Sequence, residues 1–185
     1  MRGVYAALAA FFILTAYAAP VSVSQVKEQA LSGYLYYVFF ESSPASSCAT
    51  PSVNTQLSYP ARTGSFILKA GKTLCLWAPV SGFFAGGECV FILYASSTSA
   101  GSVSFALSLR DSKGAVLATL GSGSVPVSST KQELISFFAC SSFTANTGDY
   151  LTLSLTGGGA GAKYTVYFGA STPTDFQVVK SADSA

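Results

Sequence analysis

The stretch GSVSFALSLR (residues 101–110), followed by DSKG (111–114) and AVLATL (115–120), decides the fold class. Val103, Phe105, Leu107 and Leu109 alternate with Ser104, Ala106 and Ser108, the period-two pattern of a strand with one buried and one wet face. Asp111-Ser112-Lys113-Gly114 then turns the chain back into Ala115 to Leu120, with Gly114 available for a positive φ angle, so the segment reads as an antiparallel hairpin.

The same punctuated pattern extends in both directions. Tyr34 to Glu41 is apolar on both faces, which suits a central strand. The Ser- and Pro-rich stretch Ser42 to Ala61 holds one short strand, Gln56 to Tyr59. Ser65 to Lys69 and Thr73 to Trp77 are read as joined by a hairpin loop at Gly71. A glycine-rich loop, Pro79 to Gly87, precedes a strand from Glu88 to Ala95. Gln132 to Phe138 is the next strand, and Gly148-Asp149 is read as a turn into Tyr150 to Thr156. The flexible Gly157 to Gly161 leads to Tyr164–Phe168 as a hairpin partner, and Phe176 to Val179 is an edge strand. About ten short strands between turn signals predict an all-β fold, an antiparallel β-sandwich of jelly-roll type. No fixed-period repeat or heptad is present.

Composition narrows the function classes. Of 185 residues, 50% are hydrophobic and only 10% charged, enough apolar surface for a core and too little charge for a disordered tail or coiled coil. Ten basic residues against eight acidic ones, scattered along the chain, leave no nucleic-acid footprint and no polybasic membrane patch. The chain has no histidine, which removes the commonest general base, the Ser-His and Cys-His pairs and the usual metal ligand.

At the N-terminus Arg2, the apolar run Val4 to Thr15 and Ala16-Tyr17-Ala18 match a secretory signal cleaved after Ala18. An uncleaved membrane anchor and a pilin-type cut after Gly3 are the alternatives. The expected organisation is a signal peptide over 1–18, an extended assembly segment over 19–32, a sandwich over 33–180 and a loose tail over 181–185. Cys48, Cys75, Cys89 and Cys140 form an even set in an exported chain, so two disulfides are expected, with three connectivities open. Near-mirror positions about Gly82 favour pairing Cys75 with Cys89 across a hairpin, which leaves Cys48 for Cys140. Beyond the signal there is no methionine and just two asparagines, Asn54 and Asn146, a composition that fits a thermophile or other harsh habitat.

Catalytic constellations are sparse. The eight carboxylates sit mostly at strand ends or turns and no pair stands out. No calcium loop occurs, although Glu88 and Asp149 lie on loops that are able to meet. Gly121-Ser122-Gly123-Ser124 reads as a turn rather than a nucleophile elbow. Ser128 and Lys131 have serine–lysine spacing but precede a strand instead of a helix. No catalytic residue, cofactor or metal is expected, and the chain reads as a non-enzyme. Candidate contact residues are Trp77, which shares a face with Cys75, and Phe83 and Phe84 in the glycine-rich loop.

The last feature is assembly. Val21 and Val23 alternate with Ser22 and Ser24 ahead of Val26, a strand that suits donation to a neighbouring subunit. In outline the chain resembles the subunits of archaeal bundling pili and bacterial biofilm-matrix fibres, signal-bearing jelly rolls joined by donor strands. The resemblance implies an extracellular structural subunit of a cell-surface filament, polymerising with itself through Val21, Val23 and Val26. The alternatives are a secreted carbohydrate-binding or adhesion module for surface polysaccharide, and a membrane-anchored surface domain held by an uncleaved signal.

Overall fold

The computed structural model of the protein describes residues 33–39, 44–51, 63–169, 171–172 and 174–181. The expected signal, the assembly segment with Val21, Val23 and Val26, and the strand at 56–59 lie outside the described residues. Nine strands and no helix occur among them: β1 (Gly33–Phe39), β2 (Gly64–Lys69), β3 (Thr73–Ser97), β4 (Gly101–Arg110), β5 (Val116–Val127), β6 (Gln132–Cys140), β7 (Phe143–Gly157), β8 (Lys163–Phe168) and β9 (Asp175–Ser181). Every ladder between named strands is antiparallel.

The organising element is β3, 25 residues long. Its first half pairs Thr73–Val80 with Asp149–Thr156 of β7, and its second half pairs Gly87–Ala95 with Gln132–Cys140 of β6. Because β6 and β7 follow one another, the two partners turn the same corner that β3 turns. One antiparallel ribbon therefore lies in both layers of a β-sandwich. The first layer runs from the first half of β3 through β7 and β4 to β5. The second runs from β6 through the second half of β3 to β8 and β9, which lie end to end along it, with β2 and β1 outside them.

Alternation fills the space between the layers. Leu76, Ala78 and Val80 of β3, Val103 to Leu109 of β4 at every second position, and Leu151, Leu153 and Leu155 of β7 face Phe91 and Leu93, Phe138, Val166 and Phe176. Phe105 bridges the layers, its ring 4.5 Å from Phe91 and 5.0 Å from Phe138, at tilted and edge-on angles favourable for aromatic pairs. The hairpin expected at 111–114 forms: the Asp111 carboxylate accepts hydrogen bonds from the backbone N–H of Lys113 and Ala115 at 2.9 and 2.8 Å.

At the corner the ribbon leaves no room for side chains. A Cβ on Gly86 would sit 2.7 Å from the Ser142 nitrogen and 2.9 Å from the Cys140 oxygen, and Gly87 has φ +140°. A disulfide joins Cys89 to Cys140 beside this corner.

Several expectations change. The disulfides are Cys48–Cys75 and Cys89–Cys140, not Cys75–Cys89 and Cys48–Cys140. The segment read as a loop over Pro79 to Gly87 is part of β3, so Cys75 and Cys89 lie far apart along one strand. The Gly71 turn joins β2 and β3, but these pair with β8 and β7 respectively and belong to different layers, so it is an arch rather than a hairpin. Gly148-Asp149 lies inside β7 opposite an irregularity at Val80/Gly82. The strand after Gly161 pairs with β2 and β3 instead of β7, and the last strand is flanked by β1 and β3 rather than exposed as an edge. Gly121 to Ser124, read as a turn, lies within β5. Its glycines serve packing: a Cβ on Gly121 would sit 2.5 Å from the Ala139 oxygen.

Peptide mapping without reduction is expected to recover Cys48–Cys75 and Cys89–Cys140 links, and a Cys75–Cys89 link would contradict the continuous strand. Gly121→Val should destabilise the domain by about 1 to 3 kcal/mol in chemical unfolding, through collision with the β6 backbone.

Candidate functional site

The outer face of the first layer is closed. Cys75 and Trp77 point away from the core cluster, yet they are 0% and 1% exposed. The segment 44–51 covers them. Ala45 and Cys75 exchange backbone hydrogen bonds at 2.8 Å, and Cys48 is bonded to Cys75. Arg110 completes the clasp by donating from Nη1 to the oxygens of Cys48 and Gly114 at 2.8 and 2.9 Å. Its guanidinium lies 5.6 Å from the Trp77 ring centre, which meets Tyr150 edge-on at 5.9 Å. Trp77 is therefore a shielded packing residue and offers no surface to a ligand.

The proposed contact residues at the corner also divide. Phe84 is fully buried and stacks on Phe143 at 4.5 Å, whereas Phe83 is 42% exposed. Strand alternation explains the split, since neighbours in β3 point to opposite faces.

The outer face of the second layer is open along β6. Leu134, Ser136, Phe138 and Cys140 face inward, and Glu133, Ile135, Phe137 and Ala139 face outward. Ile135 is 53% and Phe137 63% exposed. Each stands opposite a half-buried apolar residue of β3, Ile92 and Val90 respectively. Beside the end of this row lies a cleft of about 350 Å³ lined by Gly87, Glu88, Phe137, Phe138 and Ala139. Sequence alternation alone would have found the row, because Ile135 and Phe137 share a face of Gln132 to Phe138.

Further along the same face the chemistry becomes polar and aromatic. Tyr94 donates to Glu133 Oε2 at 2.7 Å. Burial, together with the adjacent Glu133 carboxylate, pushes its phenol up to about 12. Lys131 lies 4.4 Å from the centre of the Tyr167 ring, whose hydroxyl is 3.2 Å from Ser96 Oγ. Thr174 Oγ1 accepts from the Tyr94 N–H at 2.9 Å and donates to the Tyr167 carbonyl at 2.6 Å. Asp175 follows, 3% exposed, with its Oδ1 buried and unpartnered. Burial pushes its carboxyl up to about 7, with Glu133 adding to the rise and a Gln177 hydrogen bond opposing it.

The remaining catalytic candidates do not assemble. Ser128 Oγ bonds within its own turn, to the backbone of Thr130, while Lys131 rests on Tyr167. Asp149 accepts from the Asn146 N–H at 2.7 Å, as a strand-irregularity cap. Among the described residues no cluster of three metal-ligating side chains occurs, and no helix is long and apolar enough to cross a membrane. The two disulfides are those of a protein matured in an oxidising environment.

No protein-family model matches the chain, and no curated protein matches it. Among solved structures it is similar to a CocE/NonD family hydrolase from Staphylococcus aureus, with TM-score 0.64 and 6% identity over 82% of this chain and 37% of that one. It is also similar to an aminopeptidase from a marine sediment Thaumarchaeota archaeon, with TM-score 0.62 and 10% identity over 80% and 37%. An alpha-amino acid ester hydrolase gives TM-score 0.52 and 10% identity over 78% and 36%. The chain thus spans little more than a third of the length of these enzymes, and at such identities the likeness is one of fold.

Asp175 makes stability depend on pH. Its folded pKa, about 7, lies above the ordinary carboxylate value of 3.8, so the folded chain holds a proton that the unfolded chain releases. This contribution is fully present below pH 3.8 and is lost as pH rises to about 7. Asp175→Asn should therefore melt higher than the parent at pH 8, by a margin on the order of a few kcal/mol, and close to it at pH 4. Equal differences at both values in pH-dependent thermal melts would refute the buried, protonated carboxyl.

Proposed function

We propose that this chain is an exported, non-enzymatic structural subunit of a cell-surface filament, which polymerises by giving its N-terminal strand to a neighbouring copy. The observation that carries the reading is the row of large apolar side chains on β6, with Ile135 53% and Phe137 63% exposed at the margin of a disulfide-bonded sandwich. Monomeric soluble domains seldom leave such groups adjacent on a sheet margin, because the row attracts another chain. In this reading the alternating Val21 and Val23, with Val26, answer it from a neighbouring copy. Secretion follows from the signal pattern over 1–18 and agrees with the disulfides. The absence of histidine and the scattered carboxylates support a non-catalytic role.

A second reading, binding of surface polysaccharide, is favoured by Tyr94 and Tyr167, which stand opposite one another on the open face with Lys131 and Glu133 beside them. Aromatic faces flanked by charged groups suit sugar rings. Trp77 and Phe84 play no part in it, since both are buried.

The chain beginning at Ala19 should form polymers that grow with concentration in light scattering, and the chain beginning at Gly33 should stay monomeric. Monomers from both, with quenching of tyrosine fluorescence by polysaccharide, would replace the filament reading with the second one.

A further inference from the structure

The sealed face of the first layer carries unmet hydrogen-bonding groups. Among the described residues four buried side-chain atoms have no hydrogen-bond partner, and three of them, Trp77 Nε1, Arg110 Nε and Thr152 Oγ1, belong to one patch beneath the clasp. Strand register brings them together. Thr152 of β7 stands opposite Trp77 of β3 on one side and Ser108 of β4 on the other, and Arg110 follows Ser108 on the same face. Thr152, 0% exposed, is thus the floor between the indole and the guanidinium, which lie 5.6 Å apart from ring centre to Cζ. The roof is the segment 44–51. It starts beside β3, where Ala45 pairs with Cys75, and crosses to the β4–β5 turn, where a Cβ on Gly114 would collide with the Ala49 carbonyl and meet the Pro51 ring at 3.4 Å.

The chemistry of these three atoms is one-sided. Indole and guanidinium N–H groups donate and cannot accept, and the threonine hydroxyl is able to donate as well. Arg110 also brings a positive charge. Its Nη1 donates to the neutral carbonyls of Cys48 and Gly114, and no carboxylate among the described residues pairs with it. The neighbouring Asp111 turns its carboxylate to the N–H groups of Lys113 and Ala115, and Asp149 caps Asn146. Buried donors left unmet are costly, most of all when charged. A water molecule would accept from two of them, but its own protons would find only Thr152 Oγ1, and the charge would stay unanswered. An anion accepts from all three and balances the guanidinium.

We infer that Trp77 Nε1, Arg110 Nε and Thr152 Oγ1 hold a small monovalent anion of the halide class beneath the clasp. Closure by the Cys48–Cys75 bond and by residues 44–51 selects a single ion over a carboxylate carried on a longer molecule, which would have to pass out through the roof. Only the folded chain has the site, so the ion stabilises the clasped domain, and more so as its concentration rises. The site is complete within one copy and does not depend on assembly.

Trp77 is the sole tryptophan of the chain, so its fluorescence reports on the site. Bromide quenches indole on contact, and at 1% exposure Trp77 is closed to collisions from solvent. In the chain from Ala19, bromide replacing gluconate at constant ionic strength should quench Trp77 along a saturating curve. Chloride should reverse the quenching, and the melting temperature should rise with either halide. Thr152→Val keeps the shape of the floor and removes the hydroxyl, so it should raise the half-saturating bromide concentration about tenfold while leaving the circular dichroism unchanged. Where that variant folds poorly, anomalous diffraction from parent crystals grown in bromide decides, with a peak expected among the three atoms. Absence of quenching, quenching that Thr152→Val leaves unchanged, or a bromide peak elsewhere would overturn the site and leave the three atoms to water.

Discussion

The structure depends on one bent ribbon. β3 and its partners β6 and β7 turn together from one layer to the other, and the turn is possible because β3 carries glycine where the backbone joining β6 to β7 presses against it. The Gly86 position, where a Cβ would lie 2.7 Å from the Ser142 nitrogen, marks this contact. The Cys89–Cys140 bond closes a 51-residue separation at the same place, so it restricts the unfolded chain while holding the corner in the folded one. Everything else is attached to the ribbon: β4 and β5 extend its first half, and β8 and β9 extend its second. The core between the layers is what the bend brings face to face, with Phe105 meeting Phe91 and Phe138.

Local pattern reveals the strands but not how far they continue. The alternation of Val103 to Leu109 and the turn at Asp111–Gly114 were legible because both signals are local. The corner was not, because glycines at 82, 86 and 87 read as a loop when nothing shows that a partner strand bends with them. That reading also misdirected the disulfides, since a loop would bring Cys75 near Cys89, whereas a continuous strand separates them. Gly121 and Gly123 misled for a related reason. They are small to admit the Ala139 backbone and the Phe105 ring, demands made by residues distant in sequence. The candidate surface was half legible: Ile135 and Phe137 share one face of a recognisable strand, but only pairing shows that this strand stands at a margin.

The two outer faces have opposite fates. On the first layer a disulfide, Arg110 and the segment 44–51 seal Trp77, so a residue suited to binding is spent on packing. On the second layer nothing among the described residues covers Ile135 and Phe137. A clasp on one side and an open apolar row on the other make the domain asymmetric. Asp175 and the Tyr94–Glu133 pair belong to the same side of the second layer, where Asp175 stands opposite Ile92 and is nevertheless buried.

Electron cryo-microscopy of assemblies formed by the chain from Ala19 tests the central claim most directly. The account predicts filaments in which the N-terminal segment of one copy is held by the next copy and the apolar row of Ile135 and Phe137 is covered. Filaments in which Ile135 and Phe137 stay in water, or whose contacts run through the sealed face over Trp77, would contradict it.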